Sequence, residues 1–579
     1  MKKIYRNFTV LLILLASACN LDGDLQNPNE ITVAGADVNL LMNAVQLDFA
    51  DFYGNAAYTV DPLMRMQSMT GGFRYQTAYQ PQNVDGIWSQ AYRNVLTNAE
   101  TLIPIATSKN LTTHVAVAEL LEAYTYITLV DVFGDVPQSE ALKAATGNFN
   151  PKADGGEAVY DKAISLISDA RTQLALTGSA AGGALSRDIY YGGSRTKWTA
   201  LANSLELKAQ LNLSTFPPRA AGANARIAAL IAPATNLIDA TDGSEDFTYK
   251  YGTATVPGGS RHPLYDQYYG ASIGSAGGYI NTQFMYELYK GKPDPNDDAN
   301  PAKWTNDPRW RYYFYRQVGS RVKMDGTDPK ALGCTPAAPP VHYAGYPFCF
   351  FDPGFYGRDH GDASGTPPDS PFVTAWGVYP AGGKSDDNSA SNSTNPSSSG
   401  YLGSTMRGDG ANGAGILPIY MGFFTDFVKA EIQERATPGS GLPLLKTAIT
   451  NNIKAVKDFA LAKKQNLVKQ AATSTDTYFD AIKAQWNNPA ARGFSTRKMD
   501  IIGKEFYIAC WGNGVEAYNL YRRTSAPKNL QPTLQPSPGP WLRSMTYPAV
   551  YVNLNSNAKQ KDYTLTNKVF WDGNSDQLN

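Results

Sequence analysis

Cysteine is scarce, with four in 579 residues, and that excludes a disulfide-dense scaffold. A charge surplus is missing too. Lys plus Arg and Asp plus Glu are 51 each, so no basic excess exists to hold the chain on nucleic acid. Charged residues are only 18%, while 43% are hydrophobic, enough to build a core and too many for a chain disordered throughout. Five- to eight-residue alternating strands do not recur, so a sandwich or barrel has no support. The one apolar run, Phe8–Ala18, falls short of the ~18 residues needed to cross a membrane. Tyrosine is what abounds, 35 against 23 Phe and 9 Trp. It joins a flat apolar face to a hydrogen-bonding tip, which suits packed helices and ligand platforms alike.

Lys2, Lys3 and Arg6, then Phe8–Ala18, then small residues make a secretory signal over residues 1–18. Leu15-Ala16-Ser17-Ala18-Cys19 resembles a bacterial lipobox, with Ala16 where Leu is preferred. The resemblance implies cleavage before Cys19 and acylation of that residue (diacylglycerol, palmitate-type chains). Two or more acyl chains anchor stably, at ~0.8 kcal/mol per buried methylene. Cleavage removes three basic residues and no acid, leaving a weakly acidic chain. Residues 19–36, with Asn and Pro between Gln26 and Ile31, form the tether.

Helical periodicity begins at once after the tether. Val38, Leu41, Met42, Val45, Phe49 and Phe52 share a face behind Asp37, a suitable N-cap. The same spacing runs through Trp88–Leu102, Thr113–Val132, Tyr160–Leu174 and Trp198–Ala209, then through Leu444–Leu461, Tyr478–Trp486 and Asp500–Trp511. The expected fold is mainly α: helix pairs of irregular period, not a regular solenoid. Residues 215–420 are rich in Gly, Pro and Tyr with little periodicity, and Gly382–Gly415 is dominated by Gly, Ser and Asn. Such a long irregular stretch points to function more than to connection.

Several patterns that suggest chemistry fail on context. Gly408-Asp-Gly410-Ala-Asn-Gly413 follows a Ser/Gly loop and not a strand, so it reads as loop. Asp294, Asn296 and Asp298 imitate half of a calcium loop, but Ala299 and Thr305 stand where Gly and Glu belong, so structural calcium lacks support. The four His (114, 262, 342, 360) form no close pair, and Cys334, His342, Cys349 and His360 match no zinc spacing. Cys334 and Cys349 read better as a disulfide, contributing about 3 kcal/mol by loop entropy. Cys510 reads as a buried free thiol. No nucleophile elbow or other catalytic signature stands out.

Trp88-x3-Tyr92-x-Asn94-x3-Asn98, Glu119-x3-Ala123, and the run Asp131-Val-Phe-Gly134-Asp-Val-Pro137 resemble the start of the SusD/RagB family. Tyr190-Tyr-Gly-Gly193 with Lys197-Trp198-x4-Asn203-Ser204 continues the likeness. Asp307-Pro-Arg309, Arg358-Asp-His-Gly361, Trp376-Gly-Val-Tyr-Pro380 and Lys504-Glu505 carry it onward. Gly514-x-Glu-Ala-Tyr518, Arg522-Arg-Thr524 and Arg543-x3-Tyr547-Pro548 complete it. The likeness is closest to the branch carrying the Arg-Asp-His-Gly segment. It implies tetratricopeptide-type helix pairs with long loop insertions in a single domain over 37–579. The scaffold would lie mainly at 37–215, the ligand loops at 215–420 and the closing helices at 420–579.

The same resemblance implies a non-catalytic outer-membrane surface lipoprotein, a lid on a SusC-like TonB-dependent barrel that hands over oligosaccharide or oligopeptide. A surface glycan hydrolase or lyase, and an adhesion or scaffolding role, are the competing readings. No cofactor and no nucleic acid are expected. The motif residues Trp88, Tyr92, Trp198 and Glu119 read as helix contacts, and Arg522 and Arg523 as members of internal charge pairs. Ligand residues are expected in loops, as aromatics beside amide or Arg donors. Phe73, Arg74, Tyr75 and Tyr79 form one candidate set; Tyr343, Tyr346, Tyr356, Trp376 and Tyr379 form the other.

Overall fold

A computed structural model describes residues 36–69, 72, 74–255, 259–269, 278–290, 292, 305–316, 357–362, 373–386, 408–465, 473–488, 497–528, 530–562, 567–575 and 578. Helix α1 (Val38–Val60) starts as its sequence dictates. The Asp37 carboxylate accepts from the backbone N–H of Asn39 at 2.8 Å and of Leu40 at 3.4 Å. Met42, Val45, Phe49, Phe52 and Tyr53 are buried. Next, α2 (Asp85–Ser89) passes through a π-helical stretch, Gln90–Leu96, into α3 (Thr97–Ser108). Then follow α4 (Thr112–Phe133), α5 (Gly156–Ala175), α6 (Arg195–Leu213) and α7 (Ala220–Leu230). Each packs on the one before it, and α1 lies against α3 and α4.

The spacing of Val117, Leu120, Leu121, Tyr124 and Ile127 predicts one buried face for α4. The structure buries almost the whole helix, including Glu122, Thr125, Thr128 and Asp131, because α1, α3, α5 and α6 cover it from several sides. Gly134 ends it with φ at +82°, a conformation that favours glycine, and donates to Val130 O at 2.7 Å. Asp135 then accepts from Gly156 N at 2.8 Å, fastening the start of α5. The Asp131–Pro137 run is therefore a helix end, a turn and the anchor of the next helix.

Burial raises the carboxyls of Glu119 to about 8 and Glu122 to about 7, with neighbouring acids adding and Lys162 opposing. A carboxyl whose folded pKa exceeds its unfolded value stabilises the fold below the unfolded value, near 4.5. That stability is lost as pH rises through the folded value. Glu122→Gln, which mimics the protonated acid, is expected to match the parent at pH 4 to 5. By pH 8 it should exceed the parent by about 2 kcal/mol in urea unfolding. An equal gain at both pH values would refute this account of Glu122.

The elements between residues 247 and 420 are short. Strand β1 (Phe247–Lys250) comes first, followed by α8 (Pro263–Tyr269), α9 (Thr282–Lys290) and α10 (Trp310–Tyr313). The tiny β2 (Phe314–Tyr315) pairs antiparallel with β3 (Ala375–Trp376). Strand β1 pairs antiparallel with β4 (Ile416–Tyr420), Phe247 opposite Tyr420 and Lys250 opposite Ile416. The closing helices are α11 (Gly422–Ala436), α12 (Leu442–Ala462), α13 (Thr475–Asn487), α14 (Lys498–Ala509), α15 (Gly514–Thr524) and α16 (Ala549–Leu554). The chain's end returns to its beginning, since α15 packs on α1 and Tyr53 donates to Asn513 at 3.2 Å. At the centre, Phe49, Tyr53, Tyr124, Trp198 and Phe247 form an aromatic core with ring centroids 5.3–6.3 Å apart. Two buried cations are paired. Lys208 meets Glu516 at 2.6 Å, and Arg523 meets Glu431 at 2.9 Å. Arg522, expected in a charge pair, instead donates to Asn519 and to the Arg543 carbonyl and lies 3.7 Å over the Tyr518 ring.

Candidate functional site

The first candidate segment is pinned from several directions. A single helical turn, Tyr75–Ala78, follows Arg74, and Tyr75 N donates to Pro538 O at 3.0 Å. The Tyr75 hydroxyl meets His360 Nε2 at 3.1 Å, which ties this turn to the Arg-Asp-His-Gly segment. Gln531 is the other tie, accepting from His360 N at 3.0 Å and donating to Asp359 at 2.9 Å. Behind them Arg65 is fully buried and donates to the carbonyls of Leu63, Gln531 and Leu578. Burial, with Arg65 adding, drives the His360 pKa well below its ordinary range, so this imidazole is neutral. Arg358 stacks on Tyr279 at 4.5 Å.

The second segment supplies the closest ring pair among the described residues. Trp376, paired with Phe314 across β2 and β3, lies 3.7 Å from Trp511 at 14°. Tyr313 is stacked with Tyr379 at 5.6 Å and with Trp511 at 5.9 Å. The backbone presses close here, since a Cβ on Gly377 would sit 2.1 Å from Tyr312 O. Around this stack, Arg316 and Arg311 flank the Trp310 ring at 5.1 and 5.2 Å and pair with Asp386. Beneath it Arg309 joins Asp307, Glu505, Asn452 and Tyr478, with Lys292 at 2.8 Å from Glu505.

These positions revise the candidate sets. Tyr75, Tyr79, Trp376 and Tyr379 are buried, so their rings offer no open face in this structure. The rings of Tyr75, Trp376 and Tyr379 lie against other rings of the protein. Arg74 is exposed. Phe73, Tyr343, Tyr346 and Tyr356 lie outside the described residues, as do Cys19, Cys334, Cys349, His342 and the Asp294–Asp298 segment. Cys510 is a buried free thiol whose pKa burial pushes up. Gly408–Gly413 is a turn-rich loop; its glycines have positive φ, and it closes on Gly382 and Gly383. Among the described residues no group of His, Cys, Asp and Glu could hold a metal ion, and no helix is long and apolar enough to cross a membrane.

One surface was missed by the sequence reading. Tyr249 and Tyr251, at the same side of an extended segment, are half-buried, with rings edge to face at 5.0 Å. Tyr251 lies 4.7 Å from the His262 ring, and Tyr58 reaches His262 Nε2 at 3.0 Å. Its only sequence signal is the alternation of Phe247, Tyr249 and Tyr251, too brief for a strand search to single out.

Comparison with known proteins follows from this architecture. Residues 28–258 match the SusD-like_2 family model, described as "Starch-binding associating with outer membrane". No curated protein matches. Among solved structures, a SusD/RagB family protein from Bacteroides thetaiotaomicron shares 16% identity over 93% of this chain and 100% of its own, with TM-score 0.63. A "chitin-binding protein" shares 18% over 94% and 100%, with TM-score 0.60. A "chitin-binding SusD homolog" from Flavobacterium johnsoniae shares 15% over 94% and 99%, with TM-score 0.53. At such identities the likeness is one of fold.

Proposed function

We propose, from the family match over residues 28–258 and the likeness of fold along its length, that this chain is a SusD-like protein that captures neutral oligosaccharides at the outer-membrane surface without cleaving them. The observation that carries the reading is the family match itself, whose description names starch and the outer membrane. The chitin-binding names of two proteins of the same fold support it, and both glycans are uncharged or nearly so. They also favour sugar over peptide. The near-neutral chain agrees, since it has no basic field to attract polyanions.

In this reading residues 37–579 act as one domain, tethered through acylated Cys19 over residues 19–36, with Cys334 and Cys349 bridged. The domain serves as a lid on a SusC-like TonB-dependent barrel. A lid must bind modestly and release, because a ligand held too tightly is not passed on. The transport energy then comes from the barrel's partners and not from this chain. Electrophoresis of the native protein through gels carrying soluble starch or glycol chitin tests the reading. Retardation by at least one neutral polysaccharide, with none in a polygalacturonate gel, is the expected result. Equal mobility in every gel would count against glycan capture.

A further inference from the structure

The tyrosine surface beside α1 has the makings of a second, separate site. Residues Asp51, Asn55 and Tyr58 recur at helical spacing along the outer side of α1, and Asp51 is exposed. Opposite them stand Tyr249 and Tyr251, both half-buried, while Lys250 between them is exposed on the other side of the strand. Asp51 lies close enough to act electrostatically on both rings. Tyr190 is part of the same neighbourhood, held by its hydroxyl donating to Gln46 O at 2.9 Å.

A histidine forms its floor. His262 is fully buried, and burial lowers its pKa to about 3, so the ring carries a single proton. Its Nδ1 accepts from Leu264 N at 3.2 Å, which assigns the proton to Nε2. Nε2–H therefore donates to the Tyr58 oxygen, 3.0 Å away. The Tyr251 ring packs 4.7 Å from the same imidazole, so His262 holds both tyrosines against the fold.

We propose that Tyr249, Tyr251 and Asp51, none of them in either candidate set, form a binding subsite for one pyranose unit of a neutral glycan. The C–H face of the sugar rests on the half-exposed Tyr249 ring. Tyr251 donates to a ring or hydroxyl oxygen, and the Asp51 carboxylate accepts from one or two sugar hydroxyls. Asp48, one turn back on α1 and held by Asn98 at 2.9 Å, adds negative charge, so uronic or sulfated sugars are repelled. The inference rests on the glycan-capture reading but names a place that reading does not require.

The test uses the full chain in a non-glycoside detergent, with chitohexaose and maltohexaose as probes in calorimetry. Tyr249→Ala and Asp51→Asn are each expected to weaken binding of the preferred hexasaccharide by about tenfold, with melting temperature unchanged. Tyr251→Phe, which removes only the terminal hydroxyl, should weaken it severalfold. Hydroxyl-radical footprinting of the unmutated protein is expected to show protection of the peptide holding Tyr249 and Tyr251 when the sugar is present. This readout stands even if a variant fails to fold. Undiminished binding by the variants, with no protection, would overturn the subsite and leave capture elsewhere intact. Absence of binding by the unmutated protein to either sugar would overturn both.

Discussion

Arg309→Ala is expected to destabilise the protein by about 3–5 kcal/mol, the largest effect of any single substitution considered. The guanidinium is fully buried and donates to Asp307 at 2.5 and 2.8 Å, Asn452 at 2.6 Å, Tyr478 at 3.2 Å and Glu505 at 2.9 Å. Those partners sit before α10 and on α12, α13 and α14, so one side chain joins the loop-bearing region to the closing helices. Removing it takes away the cation that Asp307 and Glu505 share, while Lys292 still sits 2.8 Å from Glu505. Arg309→Lys keeps the charge but lacks the fork that serves four partners, and should recover only part of the loss. Urea unfolding with intrinsic fluorescence reads both. A loss under 1 kcal/mol for Arg309→Ala would contradict this account of the network.

Asp131→Ala comes second, at about 3 kcal/mol or more. The carboxylate, on the last turn of α4, accepts from Tyr160 of α5, from Asn519 of α15 at 2.6 Å and from Trp571 near the C-terminus at 3.1 Å. Alanine would orphan three buried donors at once. Asp131→Asn is informative because it preserves shape, yet its amide nitrogen would point a donor at a donor, so a loss of about 1–3 kcal/mol is expected. If Asn behaves as the parent, the carboxylate is not what joins these elements. Asp131 opens the run ending at Pro137, so that family-like run begins with the residue that joins α4 to α5 and α15.

Much of the scaffold was legible because periodicity and caps are local signals. Asp37 as N-cap and the helical stretches of α1, α4, α5 and α6 all follow from neighbours within a few residues. Helix α15 carries a family-like motif but no legible helical period. Glu516, Asn519, Arg522 and Arg523 are all buried there, so no polar face marks its period. The short α7 and α9 lay within a stretch whose glycines, prolines and tyrosines hide helical spacing. The site was less legible for a different reason. A flat ring is equally suited to a sugar and to another ring. Trp376 finds Trp511, and Tyr379 finds Tyr313, only through long-range folding that no local pattern encodes. Conversely, Tyr249 and Tyr251 drew no notice because their significance comes from α1 and His262, distant in sequence.

The claim on which the rest depends is capture without turnover. The direct measurement is calorimetry of the full chain, in a non-glycoside detergent, against chitohexaose, maltohexaose and a hexauronate, with the same samples then resolved by carbohydrate chromatography. Micromolar binding of one neutral sugar, no binding of the acidic one and a recovered ligand of unchanged length are predicted. Shortened sugar in those samples would contradict the account outright.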